Sequence, residues 1–136
     1  MVAQVIRYQG QLRCVALHGP SGEALTTDAP LDNHGRGETF SPTDLVATAL
    51  ATCIETTLGI VAEREKINLD GMHAAVEKFM APTAPRRIAR LLLDVTLPLP
   101  ATHPARPKLE RAAAQCPVHQ SLHPEVVVET TWHWVG

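Results

Sequence analysis

The stretch "SPTDLVATALATCIETTLGIVAEREK", residues 41–66, decides the fold because it predicts one long helix with a well-marked start. Ser41 is a preferred N-cap residue, and Pro42 already has the backbone angle that the first helical position needs. Asp44 stands three residues after the cap, where a carboxylate can face the free N–H groups and the positive end of the helix dipole. The "NLDG" turn that follows predicts an end near Lys66.

The middle of this helix carries a cysteine on its apolar side. Cys53 belongs to a stripe at helical spacing that predicts the buried face. Residues 47–57 add almost only alanine and threonine, so neighbouring backbone can approach closely and the helix is expected to be central. The helix alone leaves two interpretations of Cys53 open, a small apolar residue in a core or a reactive thiol. The predicted stripe consists of Val46, Leu50, Cys53, Thr57 and Val61, widened by Leu45, Ala49, Ile54 and Leu58.

Composition excludes several classes of function. The 136 residues are 45% hydrophobic with a formal charge of -2, and "APRRIAR" is the only basic cluster, so binding to nucleic acid or anionic lipid is not expected. No segment is expected to approach the roughly 20 apolar residues of a membrane span, and "MVAQVIRYQG" lacks a signal peptide's apolar block. Three cysteines without a C-x-x-C pair fit a reducing compartment. We therefore expect a cytoplasmic protein.

The segments around the helix predict an α+β fold. Alternating apolar residues and turn signals indicate three strands before the helix and three after it, with a second, short helix before the last strand. The order β-β-β-α-β-β-α-β predicts a single domain over residues 1–136. The predicted strands are 2–8, 12–18, 24–28, 72–81, 87–97 and 125–134, and the short helix is 108–115.

The other two cysteines differ in setting. Cys116 precedes Pro117, and a residue before proline avoids the helical region, so Cys116 is expected at an irregular junction where a thiol can face a cleft. Cys14 lies within a predicted strand and is expected to be structural. The C-x2-H-x3-H spacing of Cys116, His119 and His123 loosely resembles half a zinc site, but no fourth ligand is evident, so no metal or cofactor is predicted.

Three segments together resemble the OsmC/Ohr family of osmotically induced and organic-hydroperoxide-resistance proteins. They are "TDAPLDNHGRGETF", "SPTDLVATALATC" and "CPVHQSL", in the element order above. The resemblance covers nearly the whole chain and is closer to the OsmC-like branch. It implies an intertwined homodimer whose long helices pack centrally, with sites built from both subunits.

The resemblance also implies a thiol peroxidase for organic hydroperoxides. Cys53 would attack the peroxide oxygen and become a sulfenic acid, and Cys116 would condense with it to a disulfide. A lipoyl-type or other dithiol would then restore both thiols. An apolar setting favours alkyl hydroperoxides, because their tails gain from burial.

Peroxidases of this family support the thiolate with an arginine from the N-terminal hairpin. Arg13 is the nearest candidate, and Arg7 and Arg36 compete with it. A neighbouring cation lowers the pKa of a cysteine, whereas burial raises it.

The family also has a glutamate directly after the helix-starting proline, and this chain has Thr43 there. Asp44 or Glu38 is the predicted substitute, although a charge at a helix N-terminus explains Asp44 more simply. Two other hypotheses stay open: a binding protein for an apolar small molecule with inert or redox-sensing cysteines, and a metal-binding domain around Cys116.

Overall fold

The computed structural model describes residues 1–136 and divides them into two compact units, Met1–Val46 and Ala47–Gly136. Each unit contains one three-stranded sheet, and helices follow the first sheet and connect strands of the second. The predicted α+β class is confirmed. The single domain over residues 1–136 stays a prediction.

The N-terminal unit, Met1–Val46, is built on an antiparallel sheet in the order β1-β2-β3. The strands are β1 (Gln4–Gly10), β2 (Arg13–His18) and β3 (Ala24–Asp28). Most residues of this sheet are exposed, and they include several large apolar side chains. Such side chains are usually buried when a sheet packs against a core. The exposed apolar residues of its strands are Val5, Ile6, Tyr8, Leu17 and Leu25.

The glycine-rich loop after β3 returns to the strand it left. Phe40 accepts a hydrogen bond from the Asp28 N–H at 3.0 Å, and the Gly37 N–H donates to the Ala29 carbonyl at 3.2 Å. Gly35 passes so close that a Cβ there would lie 1.7 Å from the Ala29 oxygen, so only glycine fits. The loop is therefore tied down at its end.

Helix α1 (Pro42–Glu65) begins in the N-terminal unit and continues into the second unit. The predicted capping box is present: the Asp44 N–H donates to Ser41 Oγ at 3.0 Å, and the Ser41 N–H donates to Asp44 Oδ2 at 2.9 Å. The helix ends just before Lys66, which has a φ of 57°. Both predicted ends are confirmed to within a residue.

The predicted buried stripe of α1 is correct only in part. Of its nine members Leu50, Ile54 and Leu58 are buried, whereas Cys53 lies partly exposed at the edge of the buried face. The reason is that α1 is apolar almost all round, so periodicity does not fix which side meets the sheet. Alanine and large aliphatic residues share the observed face equally; it consists of Ala47, Leu50, Ala51, Ile54, Leu58 and Ala62.

The C-terminal unit, Ala47–Gly136, packs α1 on a second sheet in the order β4-β5-β6. The strands are β4 (His73–Met80), β5 (Ile88–Leu97) and β6 (Val127–Trp134). β4 and β5 are antiparallel, whereas β5 and β6 are parallel. The predicted alternation is confirmed in β5, whose four central core side chains are Leu91, Leu93, Val95 and Leu97.

Two helices form the crossover between the parallel strands, where one was predicted. They are α2 (Arg106–Ala114) and α3 (Pro117–Ser121), and parallel neighbours need such a connection. α3 escapes sequence analysis because five residues carry no periodicity. The predicted element order is therefore one helix short, and a single 3-10 turn at Leu31–Asn33 also precedes α1.

By length and composition alone, α1 meets the requirement for a membrane span, with a mean hydropathy of 1.8 over 18 residues. The expectation that no segment approaches such a span is wrong on those two criteria. The core helix of a soluble protein meets the same test, and one face of α1 lies in the core of the C-terminal unit.

Candidate thiol site

Cys53 and Cys116 reach the same place from different elements of the C-terminal unit. Cys53 lies midway along α1 and is partly exposed, whereas Cys116 is fully buried. Cys116 is the N-cap residue of α3, with φ −61° and ψ 145°, because Pro117 excludes the helical region before it. The predicted irregular junction at Cys116 is confirmed.

Cys53 is close enough to Cys116 to influence the Cys116 thiol. Burial raises the pKa of Cys116, and the neighbouring Cys53 raises it further. The His119 N–H opposes this by donating to the Cys116 sulfur at 3.4 Å, without cancelling the rise. Cys116 is therefore a protonated thiol at neutral pH.

A cavity of about 410 Å³ opens onto Cys53. The Thr52 hydroxyl donates to the Thr48 carbonyl at 2.8 Å, and the Thr57 hydroxyl donates to the Cys53 carbonyl at 2.8 Å. Because these hydroxyls are used by the helix backbone, the wall offers a ligand mainly hydrocarbon. The lining residues are Ala49, Thr52, Cys53, Thr56, Thr57, Ile60, Pro117 and Val118.

Sequence analysis missed this wall, although a signal for it exists. The α1 lining positions 49, 52, 53, 56, 57 and 60 follow the spacing of three and four that marks one face of a helix. The face through Cys53 could have been read as a second stripe, adjacent to the buried one.

In the N-terminal unit, Arg13 and Glu38 form an ion pair, with 2.7 Å between Nη1 and Oε2. Their side chains are 28% and 52% exposed, so water screens the attraction only in part. Glu38, one of the two predicted substitutes for the family's glutamate, is thus a partner of the predicted arginine. That this pair acts on Cys53 stays a prediction.

Asp44, the other predicted substitute, caps the helix. Its carboxylate accepts from the Ser41 N–H, and Thr43 Oγ1 lies 3.2 Å from Ser41 Oγ. The simpler explanation of Asp44, a charge at a helix N-terminus, describes these contacts.

Cys14 and the candidate metal ligands around Cys116 are the remaining predicted features. Cys14 lies partly exposed in β2, opposite Tyr8 and Thr27 in the neighbouring strands. α3 ends at Ser121, so His123 does not share a helical face with Cys116. No group of three or more histidine, cysteine, aspartate or glutamate side chains is arranged to hold a metal ion.

Two separate three-stranded sheets, with a thiol pair between a long helix and a crossover, define an α+β protein with a candidate thiol site. The family model described as "OsmC-like protein" matches residues 35–131. The chain therefore belongs to the OsmC-like family, as the resemblance of its cysteine segments indicated.

Solved structures agree with this assignment. A protein from Psychrobacter arcticus 273-4 is 39% identical. Its name describes an osmotic stress induced and detoxification response protein; its TM-score is 0.91, and the match covers 98% of this chain and 96% of that one.

More distant structures share the fold. The organic hydroperoxide resistance protein OsmC of Legionella pneumophila is 19% identical, with a TM-score of 0.73 and coverage of 98% and 96%. A Vibrio cholerae protein assigned to organic hydroperoxide resistance, with captopril bound in one of its active sites, is 18% identical. Its TM-score is 0.77, with coverage of 97% and 90%. Among proteins with curated functions, none matches this sequence significantly.

Proposed function

We propose that this protein is a two-cysteine thiol peroxidase that reduces organic hydroperoxides. The observation that carries the proposal is the pairing of Cys53, partly exposed beside an apolar cavity, with the buried thiol of Cys116. A sulfenic acid formed beside a second thiol is diverted to a disulfide before irreversible oxidation. The contact supplies that second thiol.

In the first step, the Cys53 thiolate attacks the terminal oxygen of the hydroperoxide. A sulfur–oxygen bond forms, the oxygen–oxygen bond breaks, and the alkoxide takes a proton and leaves as an alcohol. Cys53 is thereby oxidised to sulfenic acid, and the peroxide is reduced by the same two electrons.

In the second step, the Cys116 sulfur attacks the Cys53 sulfur. The sulfur–sulfur bond forms as the sulfur–oxygen bond breaks, and hydroxide leaves as water with the proton that Cys116 carried. Since burial raises the pKa of Cys116, that proton is still present at neutral pH. A dithiol of the lipoyl class, or another dithiol, then reduces the disulfide and becomes a cyclic disulfide itself.

The cavity supports the choice of substrate class. Its wall is mostly hydrocarbon, and transfer of an apolar tail from water into such surroundings is favourable. An alkyl hydroperoxide gains this favourable transfer free energy when it binds, whereas hydrogen peroxide has no apolar tail and does not.

Arg13 and Glu38 are proposed as the supporting pair of the thiolate. Their ion pair provides the cation and the carboxylate that family peroxidases combine, from a different sequence position for the carboxylate. Loss of the family's glutamate at Thr43 is then compensated by Glu38.

The protein is further proposed to act in the cytoplasm as a homodimer, without a nucleic acid or membrane partner. The support for the dimer is the exposed apolar surface of β1, β2 and β3, which a second copy would cover. Light scattering on the purified protein should give twice the mass of one chain.

The central test is disulfide mapping after one equivalent of cumene hydroperoxide. We expect the reduced protein to lose two thiols and to form a Cys53–Cys116 bridge, identified by mass spectrometry after digestion. Cys14→Ser should behave as the native protein, because Cys14 lies outside the pair, whereas Cys53→Ser should lose no thiol rapidly.

Survival of both thiols would refute the peroxidase. The cavity would then be tested as a binding site for an apolar small molecule, by titration with a fluorescent hydrophobic probe that Ile60→Asn should weaken.

A further inference from the structure

Asp28 is a buried carboxylate that the proposed reaction does not use. It is the last residue of β3 and has no exposed surface. Its Oδ1 atom is buried without any hydrogen-bond donor. A buried charge with an unpaired oxygen destabilises the fold, so a chain that contains one is expected to need it at that place.

The other oxygen of Asp28 fixes the backbone of Glu38. The Glu38 N–H donates to Asp28 Oδ2 at 3.1 Å, across ten positions of the chain. The next two residues of the loop are also bound to β3: the Asp28 N–H donates to the Phe40 carbonyl, and the Thr39 hydroxyl donates to the Thr26 carbonyl at 3.3 Å. Asp28 therefore determines where the Glu38 side chain starts.

Arg13 lies directly opposite Asp28 in the β2–β3 register. Directly opposed residues of an antiparallel pair project to the same face of the sheet, so Arg13 and Asp28 share one face. The Arg13 guanidinium forms its ion pair with Glu38 rather than with Asp28. The register thus places the cation beside the strand end to which the Glu38 backbone is bound.

We propose that Asp28 is the positioning residue of the Arg13–Glu38 pair, holding Glu38 through its backbone N–H so that its carboxylate meets the guanidinium. The functional part of this inference rests on the proposed peroxidase, in which the pair supports the thiolate. The geometric part lies wholly within residues 1–46. Asp28 acts through Glu38 and touches no reacting atom.

The first measurement is hydrogen exchange of the Glu38 amide by NMR, in the full-length protein. Asp28→Ala should lower its protection about tenfold or more, because the acceptor is lost. Asp28→Asn should keep protection within about threefold, since an amide oxygen can still accept. Glu38→Ala should also keep it, because the backbone N–H remains, and Asp70→Ala, at an exposed turn, is the matched control.

Equal loss of protection in Asp28→Asn and Asp28→Ala, or no loss in either, would overturn the inference. If Asp28→Ala does not fold, Asp28→Ser takes its place, because its short hydroxyl does not reach as the carboxylate does. The Asp28→Asn result stands in either case.

The second measurement is kcat/KM with cumene hydroperoxide. Asp28→Ala should fall to the level of Glu38→Ala, and the double variant should fall no further. A further fall in the double variant would mean that Asp28 acts by another route, which overturns its role through Glu38.

If the native protein does not consume peroxide, the proposed function fails while the inference remains testable. The coupling between Arg13→Ala and Glu38→Ala is then measured by urea unfolding, with Asp28 intact and in the Asp28→Ala background. Coupling that is present with Asp28 and absent without it supports the positioning role, and unchanged coupling refutes it.

Discussion

Two residues of α1, Cys53 and Glu55, place polar groups on different flanks of one helix. Residues two positions apart in an α-helix are separated by about 200° around the helix axis, so these two side chains leave the axis in nearly opposite directions. Cys53 has a thiol partner in Cys116 and an open cavity beside it. The Oε1 atom of Glu55 is buried without a hydrogen bond.

Electrostatics reinforce this contrast. Burial raises the pKa of Glu55, and the charge of His73 offsets only part of the rise. A partly buried carboxyl whose inner oxygen has no hydrogen bond destabilises the fold, whereas Cys53 has a neighbouring thiol and is accessible from solvent. The candidate site differs from the rest of the helix because Cys53 has a neighbouring thiol and a cavity open to solvent.

Removing the partner should have the largest effect. In Cys116→Ser, reaction of Cys53 with the first equivalent of cumene hydroperoxide should continue, but turnover should fall about a hundredfold or more, because no disulfide forms. Stopped-flow peroxide consumption measures both phases, and mass spectrometry should detect over-oxidised Cys53. Continued turnover at the native rate would show that Cys116 is not the resolving thiol.

Changing the access should have an intermediate effect. Ile60 lines the cavity and is 46% exposed, so Ile60→Asn should fold while removing hydrocarbon from the wall. We expect kcat/KM for cumene hydroperoxide to fall about fivefold, with hydrogen peroxide unaffected, because only the apolar substrate uses that contact. Glu63→Gln, on an exposed position of the same helix, is the control. An equal fall for both peroxides would argue against a tail-binding role for the cavity.

The smallest effect is expected on the other flank. Glu55 has a folded-state pKa raised above its unfolded value, so its contribution to stability is present below the unfolded pKa and is lost as pH rises through the folded pKa. Glu55→Gln should therefore raise Tm at pH 7.5 by about 1–3 °C. At pH 4 the difference should shrink, since Glu55 is then largely protonated in both states.

Calorimetry at the two pH values makes this comparison, with Glu63→Gln as the exposed control. A Tm increase of the same size at both pH values would mean that the charge of Glu55 is not what destabilises the native helix.

The start of α1 could be predicted because capping is local. Ser41, Pro42 and Asp44 act within one turn, and the observed hydrogen bonds follow from their order in the chain. The phase of the buried face could not be predicted, since it depends on the sheet against which an almost wholly apolar helix packs. The partly exposed position of Cys53 follows from that phase.

Contacts between distant positions were the other limit. Cys116 was a candidate because Pro117 interrupts the chain there, but its contact with Cys53 depends on the whole crossover. Likewise, the Arg13–Glu38 pair depends on a loop that returns to its own strand. Resemblance to a family suggested both partners, whereas spacing alone did not.

The parallel pairing of β5 and β6 has a consequence for the growing chain on the ribosome. α1 is synthesised well before the crossover that carries Cys116, and β6 follows that crossover. A parallel pair cannot close until its second strand is available, so the crossover that carries Cys116 is held at both ends only after β6 has emerged. Until then Cys53 lacks a fixed neighbouring thiol, and under the proposed two-cysteine cycle oxidant exposure during synthesis should damage this protein more than exposure after release.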